Sequence, residues 1–474
     1  MTLTRRQLLQ GAGAAVSVSL VTSSGTAAAS QSSAGSPSSD SRRVFVHPQN
    51  GLLGELLDVV DSVGGTTLRE YDNFEFVLAE VPANRLDELL AATGVATVEE
   101  DDETGIPDDW SPSLLESLLP PDRSDCETHP DQQASWGLER IGASEVEPNG
   151  SGVDIGILDT GIQTDHCSLS VAGGQNVTGS GLPDDYEDRH GHGTHVAGVA
   201  GAVDNGRGVV GTAPNANLYA VKVLDDDGDG RYSDLIAGID WCMENDVEII
   251  SMSLGGESES EAVAEAIETA HSAGHLLLSA AGNEGNNGRS SCTEETMTYP
   301  ATHDDVVAVT AMDEDDTLAA YSSVGEGVDL LAPGTDIRSS TVDNRYAEAS
   351  GTSVAAPFVA GVAALCWETR EESGTGSGSG SGSGPEPGTN DAVRSILTET
   401  AETVLDTCAE GAGLVDAREA VGDERATGGS ERSEDQSQIE SGAVGTLRDG
   451  VSSAFEWVTD LVGAIVERLG RLFG

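Results

Sequence analysis

The sequence VDIGILDTG, residues 153–161, joins a short apolar run to a carboxylate and a turn. Four similar apolar runs follow it, at residues 218–224, 247–254, 276–281 and 306–311. Runs of this kind are typical of strands buried on both faces of a sheet. Helix-like segments separate several of them, at residues 195–202, 232–244 and 261–273. This alternation predicts an α/β domain whose doubly wound, mostly parallel sheet carries helices on both faces.

The first apolar run ends at Asp159, and open α/β sheets bind their ligands at the carboxyl ends of the strands. In isolation, an Asp before Thr-Gly is more often a turn residue. The motif HGHGTHVAG, residues 190–198, surrounds His192 with glycines just before a helix of small residues. A catalytic base needs an imidazole that a carboxylate holds within reach of a nucleophile, and Asp159 can be that carboxylate. A metal site built from these histidines is the alternative, although the HExxH pattern is absent.

The candidate nucleophile is Ser353 in GTSVAAP, residues 351–357, which leads into a predicted buried helix at residues 358–367. The dipole and the free N–H groups at a helix N-terminus favour developing negative charge. Pro357 fits such a helix only in its first turn. A serine that merely caps the helix is the alternative interpretation. Asn283 ends another apolar run and can donate its amide to an oxyanion beside the serine N–H.

Together with Ser253-Leu254-Gly255-Gly256, these motifs resemble the signature set of the subtilases, in the order Asp, His, Asn, Ser. The similarity covers roughly residues 132–421. It implies a serine endopeptidase that acts on proteins or peptides and needs no cofactor or metal for its chemistry. A pseudoprotease or binding protein on the same fold is the competing hypothesis, and the intact catalytic set argues against it.

The resemblance also implies where substrate binds. Two backbone edges, Gly228-Asp229-Gly230 and Ser253-Leu254-Gly255, correspond to those that pair with an extended peptide in this family. The pocket for the residue before the cut bond would have two walls, Leu254-Gly255-Gly256 and Ala280-Ala281-Gly282, with Thr298 near its floor. The acidic run at residues 225–230 is alternatively a calcium loop, but it lacks the final Glu of an EF-hand.

Subtilases commonly hold a structural calcium ion in the loop after the catalytic-histidine helix, here residues 203–209. Gln132 and Asn205 correspond to ligand positions of that ion. Ser168 stands where the family usually supplies a carboxylate.

Segments outside the peptidase domain, assigned to residues 131–421, carry further expectations. Residues 1–29, with Arg5-Arg6 before a weakly apolar stretch, resemble a twin-arginine export signal and predict an extracellular protein; a globular first helix is the alternative. Residues 42–103 follow a ferredoxin-like βαββαβ pattern and resemble a subtilase propeptide, which would inhibit the enzyme intramolecularly. Residues 104–130 are expected to form the linker that is cut during maturation.

The C-terminal part of the chain is predicted to be less compact. Residues 373–388, rich in Gly and Ser, would form a flexible insertion in the peptidase domain, and residues 422–442 a polar linker. Residues 443–474 have one apolar helical face interrupted by charges, which favours an amphipathic helix over a membrane span. This helix either docks on a membrane surface or a partner, which would make the enzyme cell-associated, or packs on the catalytic domain.

The chain has 82 acidic and 23 basic residues among 474, for a net charge of −59, and Lys222 is its only lysine. This charge excludes a role in binding nucleic acid. It is typical of a halophile's surface, because molar salt screens the repulsion between carboxylates. The chain therefore resembles the halolysins among subtilases, although these commonly carry a folded C-terminal extension. The alternative explanation of the negative charge is that it lies in acidic disordered tails. We expect the protein to be a monomer.

The six cysteines allow 15 pairings, which the sequence does not distinguish. They lack paired CxxC spacing, so a zinc site is not expected. Cys242 and Cys366 lie in apolar helical segments and are interpreted as buried thiols.

Overall fold

A computed structural model describes residues 41–49, 53–106, 126, 130–285, 296–372, 388–405 and 407–422. The predicted export signal, most of the linker, the Gly/Ser insertion except Gly388, the polar linker except Gly422, and the C-terminal helix lie outside these residues. Among the described residues one helix, Thr352–Arg370, is long and apolar enough to cross a membrane, and 89% of its apolar window is buried within the protein. It is a core helix.

The described part of the chain begins with a four-stranded antiparallel sheet and two helices, which we call the N-terminal domain. Its strands pair in the order β2-β3-β1-β4. Its elements are β1 (Ser41–Pro48), α1 (Leu53–Ser62), β2 (Thr66–Glu70), β3 (Val77–Pro82), α2 (Leu86–Leu90) and β4 (Val95–Glu100). A separate small core that includes Val46, Leu56, Val60 and Leu89 holds this sheet to its helices. The βαββαβ pattern thus has the ferredoxin-like topology expected from the sequence.

The second part is built on a seven-stranded sheet in which every neighbouring pair is parallel, in the order β13-β12-β11-β10-β6-β8-β7. Its strands are β6 (Asp154–Asp159), β7 (Val171–Asn176), β8 (Asn217–Lys222), β10 (Ile249–Met252), β11 (Leu276–Ala280), β12 (Val306–Met312) and β13 (Leu330–Pro333). The four strands from β10 to β13 are fully buried, as continuous apolar runs require. The predicted fold class, a doubly wound α/β domain, is confirmed.

Helices cover this sheet and bring the predicted motifs to its carboxyl edge. They are α3 (Trp136–Arg140), α4 (His192–Gly201), α5 (Tyr232–Glu244), α6 (Glu261–Ala273), α7 (Thr352–Glu372), α8 (Thr389–Glu399), α9 (Thr407–Glu410) and α10 (Ala417–Ala420). Two further strands, β14 (Ile337–Thr341) and β15 (Arg345–Ala349), form a hairpin. The buried His195 of α4 contacts it through Nε2, 3.1 Å from Ile337 O and 3.2 Å from Ala347 O.

The segment after β4 differs from the expectation. Strand β5 (Glu103–Gly105) pairs antiparallel with β9 (Asp229–Arg231) in the second part, although the sequence placed residues 104 and 105 in a linker. The Asp101 side chain is fully buried. This short stretch has no apolar periodicity, because its partners are backbone and polar groups of the other domain.

The cysteine assignments are settled in part. Cys126 pairs with Cys167, with a Cα–Cα distance of 5.5 Å. Cys242 and Cys366 are free and buried, which confirms their interpretation as buried thiols. Burial raises the pKa of both thiols, that of Cys366 to about 12.

Candidate active site

Asp159 is the last residue of β6, so its carboxylate lies at the carboxyl edge of the sheet. Its own carbonyl accepts hydrogen bonds from the N–H groups of Val223 and Leu224, which fixes the strand end. His192 Nδ1 lies 2.8 Å from both carboxylate oxygens, and neither side chain is exposed. The carboxylate accepts the Nδ1 proton, which places the basic lone pair of a neutral imidazole on Nε2.

His192 begins helix α4, whereas the sequence placed it just before a helix starting at residue 195. Gly191, with φ of 106°, turns the chain into the helix in a conformation that side-chain-bearing residues rarely adopt. A methyl group on Gly193 would lie 2.1 Å from Gly161 O and 3.0 Å from Asp159 Oδ1. The small residues of this motif therefore allow the helix to start against the strand that carries Asp159.

A second carboxylate, Asp188, organises the same turn and was missed by the sequence analysis. One of its oxygens accepts from Gly191 N and Thr160 Oγ1, each at 2.9 Å, and the other from Thr194 N at 2.9 Å and Thr194 Oγ1 at 2.6 Å. Thr160 Oγ1 in turn accepts from Gly193 N at 3.0 Å. The position of Asp188, just before the glycine turn that leads into a predicted helix, could have indicated this role from the sequence.

Ser353 is the second residue of helix α7 and is fully buried. Its Oγ has no hydrogen-bond partner among the residues that the structure describes. A methyl group on Gly351 would lie 2.9 Å from Ser353 Oγ and 3.4 Å from Asn283 Nδ2. The hydroxyl and the amide thus converge on one point at the start of the helix.

The orientation of the Asn283 amide is fixed by Thr352. Asn283 Oδ1 accepts from both Thr352 N and Thr352 Oγ1, each at 3.0 Å. Because two donors assign the oxygen, the NH2 group lies on the opposite side. Nδ2 is buried and has no acceptor within the described ranges. It can therefore donate to a negative oxygen at the point shared with Ser353.

Pro357 lies inside α7 as its sixth residue, not in its first turn as expected. A proline there cannot donate to the carbonyl four residues earlier, which is that of Ser353. Ser253 Oγ donates to this carbonyl instead, at 2.9 Å. The sequence analysis placed Ser253 in the substrate edge and gave its hydroxyl no role.

Both predicted backbone edges are paired with the segment that follows the N-terminal domain. Gly105 and Gly255 exchange two N–H···O bonds, at 3.1 and 3.0 Å. Ile106 N donates to Gly228 O at 3.1 Å, and Gly230 faces Thr104 in the β5–β9 pair. These edges therefore bind an extended chain by strand addition.

The predicted pocket residues also lie together. Methyl groups on Gly255 and Gly282 would lie 2.4 and 2.9 Å from Thr298 Oγ1, and Thr298 N donates to Ala281 O at 3.0 Å. Gly256 pairs with Tyr299 next to them. Leu254 is an exception, because its side chain is fully buried in the core and only its backbone can line a pocket.

The alternative metal interpretations receive no support from the side chains. Among the described residues no group of three or more His, Cys, Asp or Glu side chains is arranged to hold a metal ion. Burial lowers the pKa of His195 to about 4, so it is a neutral donor to the hairpin carbonyls. Asp225 Oδ1 accepts from Asp227 N and Asp229 N, which closes the turn of the acidic run.

Comparison with known proteins gives a consistent result. The profile of the subtilase family matches residues 150–435. Subtilisin DY of Bacillus licheniformis is 43% identical over 238 residues, which are 49% of this chain and 84% of the relative. Subtilisin NAT of Bacillus subtilis subsp. natto is 36% identical over 311 residues, 65% of this chain and 74% of the relative. The thermostable alkaline protease of Halalkalibacterium halodurans is 36% identical over 310 residues, 65% of this chain and 76% of the relative. The chain therefore belongs to the subtilase family and is a serine endopeptidase.

Proposed function

We propose that Ser353, His192 and Asp159 form the catalytic triad of this peptidase. His192 Nε2 takes the proton of Ser353 Oγ as the oxygen attacks the peptide carbonyl, and the Asp159 carboxylate stabilises the imidazolium. Asn283 Nδ2 and the Ser353 N–H donate to the oxyanion. The imidazolium then protonates the leaving amine, and water, deprotonated by the same imidazole, releases the acyl group.

The observation that carries this proposal is the convergence of Ser353 Oγ and Asn283 Nδ2 on one point beside Gly351, together with the Asp159–His192 pair at the carboxyl end of β6 in the same sheet. Casein hydrolysis in molar NaCl tests it, with Ser353→Ala as the variant. We expect hydrolysis to disappear. Retained hydrolysis in a purified Ser353→Ala protein would reject this assignment.

We further propose that the N-terminal domain is an inhibitory propeptide. Strand β5, which follows this domain in the chain, occupies the backbone edges at Gly228–Gly230 and Gly255, where substrate would pair. The buried Asp101 carboxylate accepts from Ser233 N and Oγ in the first turn of α5 and from Arg43 Nε, each at 2.9 Å. Phe45, Tyr71 and Phe76 of the N-terminal domain also share one hydrophobic cluster with residues of α5, so the junction combines specific polar bonds with apolar packing.

Maturation then cuts the chain between Ile106 and Asp131, in the stretch predicted as a linker. N-terminal sequencing of the purified active enzyme tests this proposal. A mature chain that begins at Ser30 would contradict it, since such an enzyme would keep its N-terminal domain.

The remaining features suggest where the enzyme works. We infer export by the twin-arginine route from residues 1–29, and adaptation to high salt, as in the halolysins, from the net charge of −59. Activity should rise between 0.1 M and molar NaCl.

The C-terminal segment, residues 443–474, is proposed to attach the enzyme to the cell surface. The test compares the cellular distribution of the full chain with that of a chain truncated at Ser441. An unchanged distribution would reject this attachment.

A further inference from the structure

The loop at residues 203–209 follows helix α4, which carries His192. In subtilases a calcium ion commonly stabilises this loop, so the donor groups of this chain can be tested against that ion. Gln132 and Asn205 occupy candidate ligand positions, and both side chains are engaged in hydrogen bonds within the loop.

The Gln132 amide spans the loop and presents hydrogen atoms to its carbonyls. Gln132 Oε1 accepts from Gly206 N at 2.9 Å. Because Gly206 N–H needs an acceptor, the NH2 group is assigned to the other side of the amide. There Nε2 donates to Val203 O at 3.2 Å and Val209 O at 3.1 Å. Two carbonyls that could coordinate a cation are thereby bound to N–H groups.

The one carboxylate of the loop, Asp204, is exposed and takes no part in the hydrogen bonds of Gln132 and Asn205. Asn205 Oδ1 accepts from Arg207 N at 3.1 Å, and its Nδ2 donates to Cys167 O at 2.9 Å. The buried Ser168 hydroxyl lies 2.8 Å from Tyr346 Oη. Calcium affinity depends on the number of carboxylate ligands, and none of these contacts involves one. The residues present therefore do not fit a calcium ion.

A covalent bond holds the loop in the same place. The Cys126–Cys167 disulfide joins the segment before the peptidase domain to the segment around Ser168, which contacts the loop. The carbonyls of both half-cystines accept from the loop, that of Cys167 from Asn205 Nδ2 and that of Cys126 from Arg207 Nη1, each at 2.9 Å. Arg207 thus places a positive charge in the loop itself.

The loop lies at the C-terminal end of α4, the helix that begins with His192. Val203 N donates to Ser168 O, and Gly211 N donates to Ala202 O, both at 2.9 Å, directly after α4. We propose that the Cys126–Cys167 disulfide, together with the Gln132 amide, replaces a cation as the stabiliser of loop 203–209. The loop is then independent of calcium and dependent on oxidation of this pair.

Hydrogen exchange measured by mass spectrometry on the full-length Ser353→Ala protein in molar NaCl tests the proposal. Peptides covering residues 203–211 are compared in excess CaCl2 and in EDTA, and in the Cys126→Ser/Cys167→Ser double variant. Cys242→Ala is the matched control, because it removes a free cysteine and no disulfide. We expect equal exchange in CaCl2 and EDTA, and exchange about tenfold faster in the double variant but not in the control.

Two results would overturn the proposal. One is faster exchange of this segment in EDTA than in CaCl2, which would show a bound ion. The other is unchanged exchange in the double variant, which would show that the disulfide does not stabilise the loop. If the double variant does not fold, mild reduction of the folded Ser353→Ala protein gives the same comparison, because Cys126 is exposed.

Discussion

The Ser253 hydroxyl donates to the carbonyl of Ser353 across 100 residues of sequence, at 2.9 Å. This bond replaces the helical bond that Pro357 cannot make, and it joins the end of strand β10 to the backbone of the proposed nucleophile. We therefore expect Ser253 to be a positioning residue that acts on the reaction through the backbone of Ser353.

Removing this hydroxyl should affect turnover more than substrate binding. Ser253→Ala leaves a buried carbonyl without its donor, which costs about 1–3 kcal/mol. We expect kcat to fall about tenfold with KM within about twofold, measured on a peptide substrate in molar NaCl. Ser251→Ala on the same strand is the matched control, because its buried hydroxyl makes no hydrogen bond among the described residues. Equal kcat values for the two variants would show that the Ser253 bond has no effect on catalysis.

The oxyanion role of Asn283 leads to a second prediction. Asn283→Ala should lower kcat by about 10²–10³, the effect known for the corresponding donor in subtilisin, and leave KM nearly unchanged. Asn245→Ala, at the exposed C-terminus of α5, serves as the control and should keep full activity. A decrease confined to KM would mean that Asn283 binds substrate rather than the transition state.

Folding stability should depend on pH through Asp234, a buried residue of α5. Burial raises the pKa of this carboxyl to about 6, above the ordinary value of 3.8. Its contribution to folding stability is therefore complete below pH 4 and lost as the pH rises through 6. Asp234→Asn in the Ser353→Ala protein should raise the free energy of unfolding at pH 7.5 by up to about 3 kcal/mol, and the gain should disappear near pH 4.

Thermal unfolding at the two pH values measures this difference. Asp227→Asn, on the exposed acidic run, is the control and should show no comparable pH-dependent gain. A gain for Asp234→Asn that is equal at both pH values would exclude proton linkage at this site.

Lys222, the only lysine of the chain, should be protected from chemical modification and should stabilise the folded protein. Lys222 Nζ donates to Thr160 O at 2.6 Å and to Asp226 Oδ1 at 3.0 Å, and its side chain is 4% exposed. An amine-reactive reagent should leave Lys222 unmodified in the native protein and modify it after unfolding, as peptide mass spectrometry will show. Lys222→Met should lower the unfolding temperature, because it removes the donor of a buried carbonyl next to Asp159. Rapid native labelling would contradict the buried placement.

The sequence was sufficient for the elements with strong local patterns. Continuous apolar runs located β10, β11 and β12, and helical periodicity located α5 and α6. Strand β7, with the sequence VAGGQN, was not predicted because it lies at the sheet edge, where few apolar residues are needed. Strand β5 was missed for a related reason, since backbone edges of another domain define it.

In the candidate site, too, local sequence patterns were predictive and long-range contacts were not. Local motifs predicted Asp159, His192, Asn283 and Ser353, because each lies at or soon after the end of a strand or in the first turn of a helix. The roles of the Asp188 carboxylate and the Ser253 hydroxyl depend on contacts between distant segments, and no spacing in the sequence reveals those contacts. The pairing of Cys126 with Cys167 was also beyond the sequence, since 15 pairings were equally compatible with it.

The most direct test of the account is covalent labelling of the matured enzyme by a fluorophosphonate, read by intact mass and peptide mapping. A nucleophile activated by His192 and held by the oxyanion donors should react once, at Ser353. We expect a single adduct on Ser353, lost in Ser353→Ala and slowed at least about 10³-fold in His192→Ala. An adduct on another residue, or equal labelling of the His192→Ala protein, would contradict the proposed triad.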